Sequence, residues 1–252
     1  MLSCLLNYQQ INCFDGKYTK DQLNKWAAKK ILLCPACGKP YEYCHGKVMN
    51  PYFRHMNKEE CIDKYFEPET EEHKQGKIDL YTWISKQKGV TDCVLEGWLP
   101  GIKQRPDIMF KYNGDLCVIE YQCSPIATEY YERHELYEVA GIKDIWICGT
   151  QNYFQFYHSG SGSKQVCEIE RESRLYYDVK SKCIYKIYSD ISKQLMSKFI
   201  ITDKYNKNYL MRNIFDYKIG KVNFCLIKKN FNGSNTVAIC RKLQNLKLKN
   251  IK

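Results

Sequence analysis

Apolar positions run almost continuously through residues 105–124, "RPDIMFKYNGDLCVIEYQCS", where two largely apolar runs flank Asn113-Gly114. Asn-Gly is the strongest short signal for a two-residue hairpin turn, because both positions tolerate positive φ. A turn at 113 and 114 sets Met109 opposite Val118, Ile108 opposite Ile119 and Asp107 opposite Glu120. With Ile108, Phe110, Val118 and Ile119 present, both faces of the hairpin are apolar, as in a sheet covered on both sides. Upstream, "TEEHKQGKIDLYTWISKQ" (70–87) places Lys77, Leu80, Tyr81 and Ile84 on one helical stripe, with His73 a turn earlier. Residues 91–99 read as a strand stopped by Pro100-Gly101. Downstream, "ATEYYERHELYEVA" (127–140) reads as a helix ended by Gly141, and "DIWIC" (144–148) as a short buried strand.

The predicted order is αβββαβ, an α/β class with a small mixed sheet flanked by helices. "HSGSGSK" (158–164) has linker composition. The chain divides into an N-terminal module (1–66), a central block (67–158) and a C-terminal region (159–252), within which 189–215 is expected to be helical despite mixed periodicity.

A chain of 252 residues has room for one sizeable core and a smaller module. It has no run of 18 apolar residues, so no membrane span is expected. "MLSCLLNYQQINC" lacks a basic flank and turns polar quickly, so no signal peptide is expected. The 14 cysteines are scattered, which without a signal peptide favours reduced thiols and a cytoplasmic location. Most, including Cys93, Cys117 and Cys148, read as small buried apolar residues.

Charge changes the picture. The formal net charge is +11, and residues 151–252 carry 20 Lys and Arg against 7 Asp and Glu. Tyr176, Tyr177, Tyr185, Tyr188, Tyr205 and Tyr209 are interleaved with these cations. Phosphate contacts and base stacking together suit a polyanion, so nucleic acid is the expected partner. Surface lysine alone would give the same charge.

The hairpin carries candidate chemistry. Opposed residues bring Cβ atoms to roughly 4.5–5.5 Å, so Asp107 and Glu120 would repel unless a cation lay between them. A hard divalent cation with oxygen ligands, Mg2+ or Mn2+, fits there. Gln122 shares the face of Glu120 and falls opposite Arg105. His73 and Lys77 stack on one helical face, as do Arg133 and Tyr137 on the next helix.

The N-terminal "LLCPACGKPYEY" has Cys34 and Cys37 two residues apart, and "YFRHMNKEEC" adds His55 and Cys61. Three thiolates and an imidazole suit a closed structural Zn2+ site. Cys44 and His45 are rival ligands by spacing.

Taken in order, "EH...GK", a lone "E", "RPD", "IEYQ.S" and "ER...Y...GI..IWI" resemble the nuclease core of the competence protein CoiA-like family. The resemblance covers roughly residues 25–150. It implies a restriction-endonuclease-like, or PD-(D/E)xK, core with Asp107 and Glu120 as ligands of catalytic Mg2+ or Mn2+. It also implies Glu72 as the acid of the first helix, His73 and Lys77 lining the site, and Gln122 where the superfamily has lysine. Lys77 is the candidate to restore that charge. Arg105, Arg133 and Tyr137 are candidate nucleic-acid contacts. The "FRH" element is similar to the family's "HFAH", with Tyr52 replacing the first histidine, and supports His55 as a zinc ligand. The implied activity is metal-dependent DNA hydrolysis, in uptake and recombination or in defence against foreign DNA, alongside partner proteins of those processes. The alternative is a zinc-containing nucleic-acid-binding protein whose nuclease fold has lost catalysis.

Overall fold

The computed structural model describes residues 1–46, 50–56, 61–63, 69–124, 129–149, 175–180, 182–190 and 193–200. The expected linker at 158–164 lies outside them.

The chain starts with a hairpin, β1 (Ser3–Leu6) and β2 (Gln9–Asn12), followed by α1 (Lys20–Ala28) and β3 (Leu32–Leu33), which pairs with β1. Thr19 and Gln22 form a capping box that satisfies the first amides of α1. A second small sheet pairs β4 (Tyr41–Cys44) with β5 (Tyr52–His55).

The central block opens with α2 (Glu71–Ile84), capped by the Thr70 hydroxyl, which accepts the His73 amide. Next come β6 (Val90–Leu95), β7 (Ile108–Tyr112), β8 (Asp115–Gln122), α3 (Glu129–Val139) and β9 (Lys143–Gly149). β6, β7 and β8 are antiparallel neighbours, and β9 runs parallel to β8. The β7–β8 register is that of the two-residue turn, Ile108 opposite Ile119 and Met109 opposite Val118. Asn113 and Gly114 both have positive φ, 51° and 95°. The expected strand over 91–99 stops at Leu95, because Glu96 turns into the left-handed region at φ 54°.

The sheet continues through β10 (Leu175–Asp178), parallel to β9, and then through β11 (Cys183–Asp190) and β12 (Lys193–Ile200), both antiparallel. The helix expected from residue 189 is therefore not formed over the described part of that segment. β11 and β12 pair along eight residues each. In "KQLMSKFI" the apolar positions Leu195, Met196, Phe199 and Ile200 fall at helical spacing too, so periodicity does not decide between the two forms and the ladder with β11 does. Residues 201–215 lie outside the described ones.

The result is a mixed α/β fold whose seven-stranded sheet has the order β12-β11-β10-β9-β8-β7-β6. One buried core runs from Leu2, Leu23 and Leu32 through Leu80 and Ile84 to Ile119, Tyr121 and Tyr177. The expected boundary near residue 66 is thus no gap in the core. A smaller cluster, Val118, Tyr137 and Ile142, joins the other sheet face to α3. α2 crosses the sheet very closely at Gly76, where a Cβ would stand 2.0 Å from the Tyr121 ring. Among the described residues no helix is long and apolar enough to cross a membrane.

Candidate active site and metal centres

A cavity opens where the N-terminus of α2 meets the ends of β6, β7 and β8. Glu69, His73 and Lys77 enter it from the α2 side, Glu96 from the end of β6, and Asp107 from just before β7. Glu120 and Gln122 of β8, Arg133 of α3 and the Arg105–Asp63 pair also line it.

Three groups of unlike charge meet at Asp107. Its Oδ2 accepts the Tyr121 amide at 2.7 Å and lies 3.2 Å from His73 Nε2, while Oδ1 lies 3.6 Å from Lys77 Nζ. Burial alone would raise the Asp107 pKa, but His73 and Lys77 together outweigh it and hold the carboxyl below its usual value. His73 Nδ1 stands 3.7 Å from Glu69 Oε1. Burial would lower the His73 pKa, yet the Asp107 carboxylate raises it overall. Lys77 is 1 % exposed and its ammonium contacts both Glu69 and Glu96. Against a burial penalty on every partner, Lys77 stays charged, and Glu69 is held well below the ordinary carboxylate range.

The Asp107–Glu120 pair differs from expectation. Asp107 lies one residue before β7, and its carboxylate turns to α2, whereas Glu120 turns to α3. Glu120 Oε1 accepts from the Tyr137 hydroxyl at 2.5 Å and from the Arg133 guanidinium. The two acids line one cavity from either side of the strand end. Burial, opposed by Arg133 and reinforced by the Asp107 charge, pushes the Glu120 carboxyl up to about 7.

Other expected residues also settle differently. Glu72 does not line the cavity. It sits on a neighbouring face of α2, with Oε1 2.9 Å from where a Gly149 Cβ would be. Successive helical residues point about a quarter-turn apart, so the acid beside His73 comes from one turn earlier, Glu69. Arg105 lines the same cavity with its side chain largely buried, pairs there with Asp63 and donates to Tyr41 Oη at 3.2 Å. Tyr137 is fully buried and cannot stack on a base. The Gln122 amide donates to the Ser124 carbonyl at 2.7 Å.

Glu69 and Glu96 are among the cavity residues that sequence reasoning missed. Glu96 appears in the motif order only as a single letter. Its signal was an acid followed by Gly97 at a strand end. Its carboxylate also accepts the amides of Leu2 and Ser3 at 2.8 and 3.0 Å, which ties β1 to the site.

Among the described residues, two groups of side chains could hold a metal. In one, donor atoms of Glu69, His73 and Asp107 all lie within 4.8 Å of one another. In the other, the same holds for Cys34, Cys37, His55 and Cys61. Cys34 Sγ and Cys61 Sγ are 3.9 Å apart, and Cys37 Sγ and His55 Nε2 are 3.8 Å apart. A tetrahedron with metal–sulfur bonds of about 2.3 Å has edges of roughly 3.8 Å, so these four residues fit zinc. Burial lowers the His55 pKa, which keeps a ring nitrogen available as a ligand. Burial and the neighbouring thiols push Cys61 up to about 12, so three thiolates would coexist here only around a cation. Cys44 and His45 stay outside the group, and His45 faces Asn24 instead.

Residues 69–230 match the family model described as "Competence protein CoiA, nuclease-like domain". The chain belongs to this CoiA nuclease-like family. A curated relative, "Competence protein CoiA" of Bacillus subtilis (strain 168), is 34 % identical over 130 residues. That match covers 51 % of this chain and 34 % of the relative, so the similarity spans about a third of the relative's length. No solved structure matches.

Proposed function

We propose that this CoiA-family protein is a divalent-metal-dependent nuclease that hydrolyses DNA phosphodiester bonds on a restriction-endonuclease-like core. The observation that carries this reading is the meeting of Glu69, His73 and Asp107 beside Lys77 and Glu120 in one cavity of a nuclease-like domain. The relative's name supports a role in competence, hence in DNA uptake or recombination alongside other proteins. Defence against foreign DNA would use the same chemistry.

Glu69, His73 and Asp107 would hold Mn2+ or Mg2+. The imidazole among them favours Mn2+, because Mg2+ prefers oxygen ligands throughout. A bound divalent cation supplies phosphoryl polarisation and a water of lowered pKa. The chain's own residues do the rest. The Tyr121 amide fixes Asp107 Oδ2 and leaves it preorganised. Lys77 keeps Glu69 and Asp107 ionised and offsets negative charge in place of the lysine that Gln122 replaces. Glu120, poised near neutrality, is suited to take a proton from the attacking water at a carboxylate oxygen. Arg133, at the cavity wall, then becomes available to a phosphate oxygen. The Cys34, Cys37, His55 and Cys61 module is structural.

The test is cleavage of linear, circular, single- and double-stranded DNA under Mn2+ and Mg2+, comparing the parent with Asp107→Ala. Metal-dependent cleavage that disappears in the variant is expected.

One observation favours a second reading, a nucleic-acid-binding protein that has lost catalysis: Glu120 is engaged by Arg133 and Tyr137 while Gln122 stands in the lysine position. DNA binding by the parent with no cleavage under either cation would establish it.

A further inference from the structure

The zinc-type cluster and the cavity meet at a buried ion pair whose two residues both line the cavity. Arg105 and Asp63 meet through Nη2 and Oδ2, and each side chain is 4 % exposed. Asp63 follows the cluster cysteine Cys61 by two residues, and Arg105 precedes Asp107 by two. The other terminal nitrogen of Arg105, Nη1, donates to Tyr41 Oη at 3.2 Å. The Tyr41 ring in turn packs edge-on against the His55 imidazole, centroids 4.6 Å apart. Both ends of the guanidinium therefore rest on residues next to a cluster ligand, Cys61 on one side and His55 on the other.

The intervening chain is stiff. Pro106 has its φ locked by its ring and disfavours helical backbone at Arg105 before it. A displacement of Arg105 therefore passes to Asp107 with little local slack. A buried guanidinium has no water to replace a lost carboxylate, so it holds its position only while Asp63 holds its own.

We infer that the Cys34–Cys37–His55–Cys61 module sets the geometry of the Glu69–His73–Asp107 metal site, with Asp63 and Arg105 as positioning residues that couple the two metals. The inference rests on the proposed metal-binding role of both groups. Coupling between two binding sites is reciprocal: zinc in the module tightens Mn2+ in the cavity, and Mn2+ in the cavity tightens zinc by the same factor.

The experiment uses the full chain with zinc content measured, and Mn2+ alone as probe, titrated by electron paramagnetic resonance of the free ion. Asp63→Asn keeps the shape and removes the charge. Arg105→Gln leaves every residue of the module unchanged. Both variants are expected to keep the parent's circular dichroism and to weaken Mn2+ binding about tenfold, a typical coupling. Arg105→Gln is also expected to retain the parent's zinc. Saturating Mn2+ is expected to raise zinc affinity, read by equilibrium competition with a chelator, in the parent and not in Arg105→Gln, which a merely structural role would not produce. Folded, zinc-loaded Arg105→Gln that binds Mn2+ like the parent overturns the coupling while leaving the metal-site reading intact. A parent that binds zinc but no Mn2+ overturns both.

Discussion

Asp107 Oδ2 accepts the backbone amide of Tyr121 at 2.7 Å, so the acid before β7 is anchored to β8 one residue past Glu120. A backbone donor cannot rotate away, and the β7–β8 ladder fixes where it stands. Asp107→Asn presents either an oxygen or an amide to that donor and removes the charge facing His73 and Lys77. The variant is expected to stay folded, to bind Mn2+ at least tenfold more weakly, and to lose DNA cleavage by two orders of magnitude or more. Titration of Mn2+ and gel-based cleavage check both halves.

Lys77 neutralises two carboxylates in a buried place. Lys77→Met keeps much of the volume and removes the ammonium shared by Glu69 and Glu96, leaving Glu69 the N-terminal ammonium of Met1 at 3.2 Å. Breaking a buried pair from one side costs about 3–5 kcal/mol. Urea unfolding is expected to show a loss of that size. The double variant Lys77→Met with Glu96→Gln is expected to recover part of it, and an equal loss in both would contradict the pairing.

Acid should attack the same cluster. The folded-state pKa of Glu69 lies below its unfolded value, so its contribution is fully present above the unfolded carboxylate pKa of about 4.3 and is lost as pH falls toward the folded value. Melting temperature in chelator is therefore expected to fall more steeply below pH 5 for the parent than for Glu69→Gln. Parallel curves would show that Glu69 is not held ionised by Lys77.

Gly76 lies within α2, where alanine is intrinsically better by about 0.5–1 kcal/mol. Its Cβ would enter the Tyr121 ring, which is itself fully buried. Overpacking of this kind costs about 1–3 kcal/mol, so Gly76→Ala is expected to be destabilising on balance. Combining it with Tyr121→Leu, which removes the ring, is expected to cost less than the sum of the two single changes. Additive losses in denaturant unfolding would rule out the contact.

Local chemistry made a good deal of the fold legible. The Asn113-Gly114 turn sets the hairpin register because a two-residue loop leaves the opposing residues no choice. The helical stripe of Lys77, Leu80, Tyr81 and Ile84 marks α2, since helical periodicity is written within a few residues. The Cys34 and Cys37 pair is adjacent in the chain for the same reason. Apolar spacing points to helix over β12 and the last two residues of β11, because the reward of these strands is a ladder that the chain reveals only once it is folded.

By itself, then, the amino-acid order determined those features whose partners lie within a turn, a helix repeat or a hairpin. Tertiary structure alone decided which acids converge. Glu69 instead of Glu72 faces His73, Glu96 reaches Lys77 from another strand, Glu120 turns to Arg133 and Tyr137, and Arg105 is buried against Asp63. Each of those contacts joins separate elements, and burial makes a charged side chain take whichever opposite charge the packed elements bring within reach.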